Sequence, residues 1–104
     1  MDHLVYLDHA ATTAERPEVV EAMLPYFTEK YGNPSSIYSL GSETKAAITH
    51  AREIMAKSIG TTSENIYFTA GGSESDNWAL VATAEAYASK GKHIITSKIE
   101  HHAI

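Results

Sequence analysis

The sequence predicts a helix-rich α/β fold on three observations. Residues 17–31, 42–59 and 74–89 carry apolar side chains at three- and four-residue spacing, the period of an amphipathic helix. Two short runs rich in β-branched and aromatic residues, 66–69 and 93–97, flank the last of these stretches, so strand, helix and strand read as one βαβ unit of the kind that builds parallel sheets. Nothing repeats along the chain and no linker composition divides it, so the 104 residues read as a single domain.

Taken in order, Leu4 to Leu7 is an apolar run too short for a helix and is expected to be a strand, with a loop of small and polar residues from Asp8 to Thr13 after it. Residues 1–15 thus form an N-terminal strand and loop, and residues 16–104 the body of the domain. Pro17 suits a first helical position, Glu18 and Glu21 lie where the helix dipole favours acids, and Val20, Met23, Phe27 and Tyr31 share a face. Pro25 has no N–H for the Glu21 carbonyl, so the helix is expected to kink or divide there. Gly32 is expected in the left-handed conformation that ends helices, and Pro34 drives Asn33 out of the helical region. The helix of 42–59 turns Ile48, Ala51, Met55 and Ile59 to one side and is closed by Gly60. In the helix of 74–89, Trp78, Val81 and Ala82 lie on one side and Leu80, Ala84 and Tyr87 on another, so it is expected to be buried on two sides. Gly91 ends it. A two-stranded parallel sheet has little to pack against, and the sequence stops just past its second strand with no closing element, so the chain is expected to be a truncated piece, incomplete as an independent fold.

Composition excludes several classes. Eight basic against thirteen acidic residues give a net charge of −5, with no Lys/Arg cluster, so neither nucleic acid nor an acidic membrane surface is an expected partner. No apolar run approaches the roughly 20 residues of a spanning helix, and Met1-Asp2-His3 lacks the basic start of a secretory leader. A cytoplasmic location is expected. There is no cysteine, hence no disulfide, thiolate metal site or cysteine nucleophile within these residues.

The stretch with most chemistry is Ile66 to Asn77. The run Ile66 to Thr69 is broken by Gly71-Gly72, and Ser73 opens a helix. The first N–H groups of a helix have no intrahelical partner and sit at the positive end of its dipole, a combination that binds phosphate. Gly71 and Gly72 lack the Cβ that would keep a ligand off the backbone, and the Ser73 hydroxyl can cap the helix or meet a phosphate oxygen. Neither Gly-x-x-x-x-Gly-Lys-[Ser/Thr] nor Gly-x-Gly-x-x-Gly is present, so spacing leaves two readings open: a phosphate cradle and an ordinary capped turn.

Four segments carry a resemblance: Tyr-Leu-Asp-His-Ala-Ala-Thr-Thr at 6–13, Gly-Asn-Pro-Ser-Ser at 32–36, Phe-Thr-Ala-Gly-Gly-Ser-Glu-Ser-Asp-Asn at 68–77 and Ile-Glu-His-His-Ala at 99–103. In this order and spacing they resemble the cysteine desulfurases, of the class V branch of the pyridoxal-phosphate aminotransferase fold, and cover the first quarter or so of such an enzyme. The resemblance implies that the chain begins the large cofactor-binding domain and that the cofactor is pyridoxal 5'-phosphate. It also implies that Gly71, Gly72 and Ser73 bind the cofactor phosphate and that His101 stacks on the pyridine ring, where imidazole could assist proton transfer. On sequence alone His101 beside His102 reads more often as an exposed pair, and the two have no obvious third ligand for a metal. Asp8, His9, Thr12 and Asn33 fall in family segments near the active site and also suit plain turn chemistry.

The family's cofactor-tethering lysine, its aspartate for the pyridine nitrogen, its substrate-binding arginine and its sulfur-accepting cysteine lie downstream of these motifs. None of Lys30, Lys45, Lys57, Lys90, Lys92 or Lys98 occupies the tethering motif. The expected parent activity converts L-cysteine to L-alanine and an enzyme-bound persulfide for a sulfur-acceptor protein, in supply of iron-sulfur clusters or thio-cofactors, and the 104 residues alone are expected to be inactive. Alternatives are a selenocysteine lyase or other class V lyase and, from another class, a non-catalytic interaction module. In the family, later strands separate the runs 66–69 and 93–97, so open edges and the apolar sides of the last helix are expected to make the chain a homo-oligomer.

Overall fold

A computed structural model describes residues 4–104; residues 1–3, where the argument against a secretory leader rests, lie outside the described residues. The chain divides into two compact units, one up to Ser63 and the other from Glu64 to Ile104.

In the first unit the loop after Leu7 is closed by the Ala11 N–H on the Asp8 carbonyl at 3.0 Å and by a 2.7 Å hydrogen bond between the Tyr6 hydroxyl and Thr12 Oγ1. Helix α1, Pro17–Met23, starts on a proline whose missing N–H would have had no partner. The Glu18 carboxyl is held below its usual range by a backbone hydrogen bond and by the Arg16 guanidinium. Pro25 divides the expected helix in two: α2, Pro25–Thr28, is a single turn that begins on it. The helix ends at Thr28 and not at Tyr31, because the N–H groups of Glu29 and Lys30 both turn onto the Pro25 carbonyl, at 2.9 and 2.8 Å. The Lys30 ammonium meets the Glu43 carboxylate at 3.1 Å, which raises the lysine's pKa.

Gly32 is not left-handed: among the described residues only Gly60 and Gly91 have φ between +20° and +160°. What Gly32 satisfies is space, since a Cβ there would collide with the Leu40 backbone. Asn33 shapes the loop that follows, its side-chain oxygen accepting the Ser35 N–H at 2.9 Å and its carbonyl the Ser36 N–H at 2.9 Å.

Helix α3, Ser39–Ser58, begins three residues before the expected Ser42. Ser42 does not cap it; its hydroxyl returns to the Tyr38 carbonyl at 3.4 Å from within the first turns. The buried side of α3 also differs from the expected aliphatic stripe. Gly41, Thr44 and Ala56 are buried, whereas Ile48, Met55 and Ile59 are exposed. The choice at Gly41 is steric: a Cβ there would lie 2.6 Å from the carbonyl oxygens of both Asn33 and Ser36, so the loop packs on the one side of the helix that has no side chain. Thr44 keeps its buried hydroxyl satisfied on the Gly41 carbonyl at 3.0 Å. At the far end Gly60 takes φ +72°, and the Thr61 N–H closes on the Ala56 carbonyl at 2.9 Å.

A short 3-10 turn, Ser63–Asn65, straddles the boundary along the chain, and the second unit contains α4, Gly72–Ala86. The runs 4–7, 66–69 and 93–97 do not form strands, and no strand occurs among the described residues. Residue preference selects an extended path, but a strand exists only where a neighbour supplies the hydrogen-bond ladder, and no two of these runs are laddered together. The expected βαβ unit is therefore not formed: α4 is flanked by two segments without regular secondary structure. Nor is α4 buried on two sides, for none of its residues is buried. Grooves of about 410 and 780 Å³ run along it, the first including Trp78 and Val81, the second Leu80, Ala84, Tyr87 and Ile94.

Candidate functional site

Helix α4 starts at Gly72 with Gly71 as its N-cap residue, two residues before the expected onset. Ser73 is consequently the second helical residue and does not cap. The turn is held by side chains on either side of it. Glu74 Oε2 accepts the Ala70 N–H at 2.6 Å, Thr69 Oγ1 and Ser75 Oγ are 2.7 Å apart, and both hydroxyls reach the Gly71 carbonyl, at 3.2 and 3.3 Å. The helical ladder begins with the Ser75 N–H on the Gly71 carbonyl at 3.2 Å. The N–H groups of Gly72, Ser73 and Glu74 are those left over at a helix start, and no side chain caps them. The Ser73 hydroxyl has no hydrogen-bond partner among the described residues.

The two glycines satisfy no internal requirement of the fold. Gly71 has φ 169° and ψ 177°, extended backbone open to any residue. A Cβ on Gly71 or on Gly72 would meet nothing within 4 Å, in contrast to Gly32 and Gly41. Their bare backbone faces outward beside three free donors and a hydroxyl, which is the chemistry a phosphate group fits.

His101 lies in the same unit. Its ring Nδ1 accepts the Ala103 N–H at 3.1 Å, and its ring tilts at 34° against that of His102 with centroids 4.0 Å apart. Nδ1 is the acceptor in this contact, the arrangement of the tautomer whose ring proton is on Nε2. A residue the sequence reading gave no role joins the two parts. Asn77, on α4, donates from Nδ2 to the Ser73 carbonyl at 2.8 Å and to the Ala103 carbonyl at 3.0 Å. The second of these partners is 26 positions away, and no local pattern announces it. Asp8, His9 and Thr12 take part in the loop contacts of the first unit and Asn33 in its turn. Among the described residues no cluster of three potential metal ligands occurs, and no helix is long and apolar enough to cross a membrane.

A sequence model of the Aminotransferase class-V family matches residues 5–104. The chain is similar to the cysteine desulfurase IscS of Methanosarcina thermophila, 60% identical over 96% of this chain and 25% of that protein. It is 56% identical to the cysteine desulfurase IscS of Clostridium botulinum over its whole length and 26% of the relative, and 59% identical to that of Dictyoglomus turgidum with the same coverage. Among solved structures a NifS-like protein superposes with a TM-score of 0.86 at 41% identity, covering 95% of this chain and 27% of that one. The chain spans about a quarter of the length of the relatives it matches.

Proposed function

Because the chain belongs to the class-V aminotransferase family, with the fold of the NifS-like protein, we propose that it forms the first part of the cofactor-binding domain of a cytoplasmic cysteine desulfurase. The cofactor of this family in general is pyridoxal phosphate. In the proposed assignment Gly71, Gly72 and Ser73 bind its phosphate and His101 lies against its ring. The observation that supports this is the state of the α4 start: uncapped N–H groups, a partnerless serine hydroxyl, and two glycines that neither conformation nor packing demands. With Nδ1 engaged by the Ala103 N–H, Nε2 is the His101 ring atom left to carry a proton beside a bound ring.

When bound, pyridoxal phosphate supplies an electron sink for bond cleavage at the substrate amino acid. The proposed reaction breaks the carbon–sulfur bond of L-cysteine, releases L-alanine and leaves the sulfur as a persulfide on an enzyme thiol, from which an acceptor protein takes it. These 104 residues contain no cysteine, so the thiol is not among them. The test is Ser73→Ala in the full-length enzyme. Loss of one hydrogen bond to a charged phosphate is expected to weaken pyridoxal-phosphate retention roughly ten- to a hundredfold, read by visible absorbance during titration of the apoenzyme. Unchanged retention would overturn the assignment of the turn.

A further inference from the structure

Asn77 is where the unit from Glu64 to Ile104 is tied together. Its side-chain amide faces two carbonyl oxygens, those of Ser73 and Ala103. Both are acceptors, so the orientation of the amide is dictated: only the nitrogen can face them. Ala103 is itself bonded at both ends, with its carbonyl receiving Asn77 Nδ2 and its N–H donating to His101 Nδ1. A continuous path therefore runs from the first turn of α4 through Asn77 and the Ala103 peptide groups to the imidazole. Ala103 is half-buried while its neighbours are exposed, as expected for the anchored point of an otherwise open segment.

We propose that Asn77 is a positioning residue. By clamping the Ala103 carbonyl to α4 it fixes the 101–104 segment against the helix that carries the phosphate turn, and through the Ala103 N–H it sets the tautomer and orientation of His101. Asn77 touches neither phosphate nor ring. It acts through Ala103. The inference rests on the proposed role of His101 for its relevance to catalysis, but the hydrogen-bond path is a property of the chain itself.

The experiment uses the full-length enzyme with Asn77→Leu, which keeps the approximate size and removes the donor, and Asn77→Asp, which keeps the shape and turns acceptors toward both carbonyls. The His101 tautomer is read in the apoenzyme by nitrogen NMR of labelled histidine, assigned with His101→Gln. Visible circular dichroism of the holoenzyme and affinity for inorganic phosphate are measured alongside. Expected are a weakened Nε2–H preference and an altered cofactor dichroism in both variants, with phosphate affinity unchanged in Asn77→Leu, which adds no charge beside the Ser73 turn. Should Asn77→Leu prevent folding, the aspartate variant carries the test. A folded variant with the wild-type tautomer and dichroism would overturn the proposal, and so would a proportionate fall in phosphate affinity in Asn77→Leu, which marks a general structural role. If Ser73→Ala fails to weaken cofactor retention, the cofactor assignment falls while the apoenzyme tautomer still decides the role of Asn77.

Discussion

Glu74 Oε2 lies 2.6 Å from the backbone nitrogen of Ala70, so the third residue of α4 reaches back over its own N-cap and secures the peptide that leads into the turn. The contact places a carboxylate where the helix dipole favours it and leaves the N–H groups of Gly72 and Ser73 facing outward. The turn is thereby rigid without its donors being used.

Glu74→Ala is expected to destabilise this start by about 1 kcal/mol, as loss of a helix cap does, whereas Glu74→Gln keeps an acceptor and most of the stability. Thermal melting of the full-length protein checks it. Equal melting temperatures for wild type and the alanine variant would show that the contact contributes nothing.

The glycines divide into two kinds with opposite mutational outcomes. At Gly41 a Cβ would sit 2.6 Å from two carbonyl oxygens, so Gly41→Ala must displace the 33–36 loop and is expected to cost about 1–3 kcal/mol. At Gly71 the extended backbone and open space accept a branched side chain, so Gly71→Val is expected to melt like the wild type yet bind phosphate more weakly. Melting curves and phosphate titrations on both variants separate the cases, and a destabilised Gly71→Val would contradict the reading.

The exposed apolar residues Trp78, Leu80, Ile94 and Ile95, the last at 88% exposure, are expected to drive self-association of these 104 residues on their own, since apolar area removed from water is worth about 25 cal/mol per Å². Sedimentation is expected to give species larger than the 11.3 kDa monomer. A monomer that unfolds cooperatively would contradict it.

How far the fold is legible in the sequence depends on how local its causes are. Pro17 and Pro25 act through the ring and the missing N–H of one residue, and the start of α1 and the division after it follow. Gly60 likewise ends α3 where expected. Helix α4 starts two residues before the expected position: serine is a preferred N-cap, whereas Glu74 and Ala70 secure a start at the glycines instead. The strand expectations for 4–7, 66–69 and 93–97 rest on residue preference, which cannot supply a partner. The buried side of α3 is decided by the 33–36 loop, which selects Gly41 over the bulkier stripe. Of the candidate site, the glycine turn and the histidine pair are visible as residue patterns. Asn77 is not, since a helical asparagine has meaning only once its distant acceptor is known.

The open grooves along α4 bear on how substitutions in this protein are to be interpreted. Leu80, Val81, Ala84 and Tyr87 line space that the described residues do not fill, so changes there remove few contacts from the chain itself, whereas Gly32, Gly41 and Thr44 are constrained by neighbours it already contains. Two saturation-mutagenesis maps, one of these 104 residues and one of the full-length protein, would agree along the start of α3 and diverge along α4. The difference between them would trace, position by position, the footprint of whatever the longer protein lays against that helix.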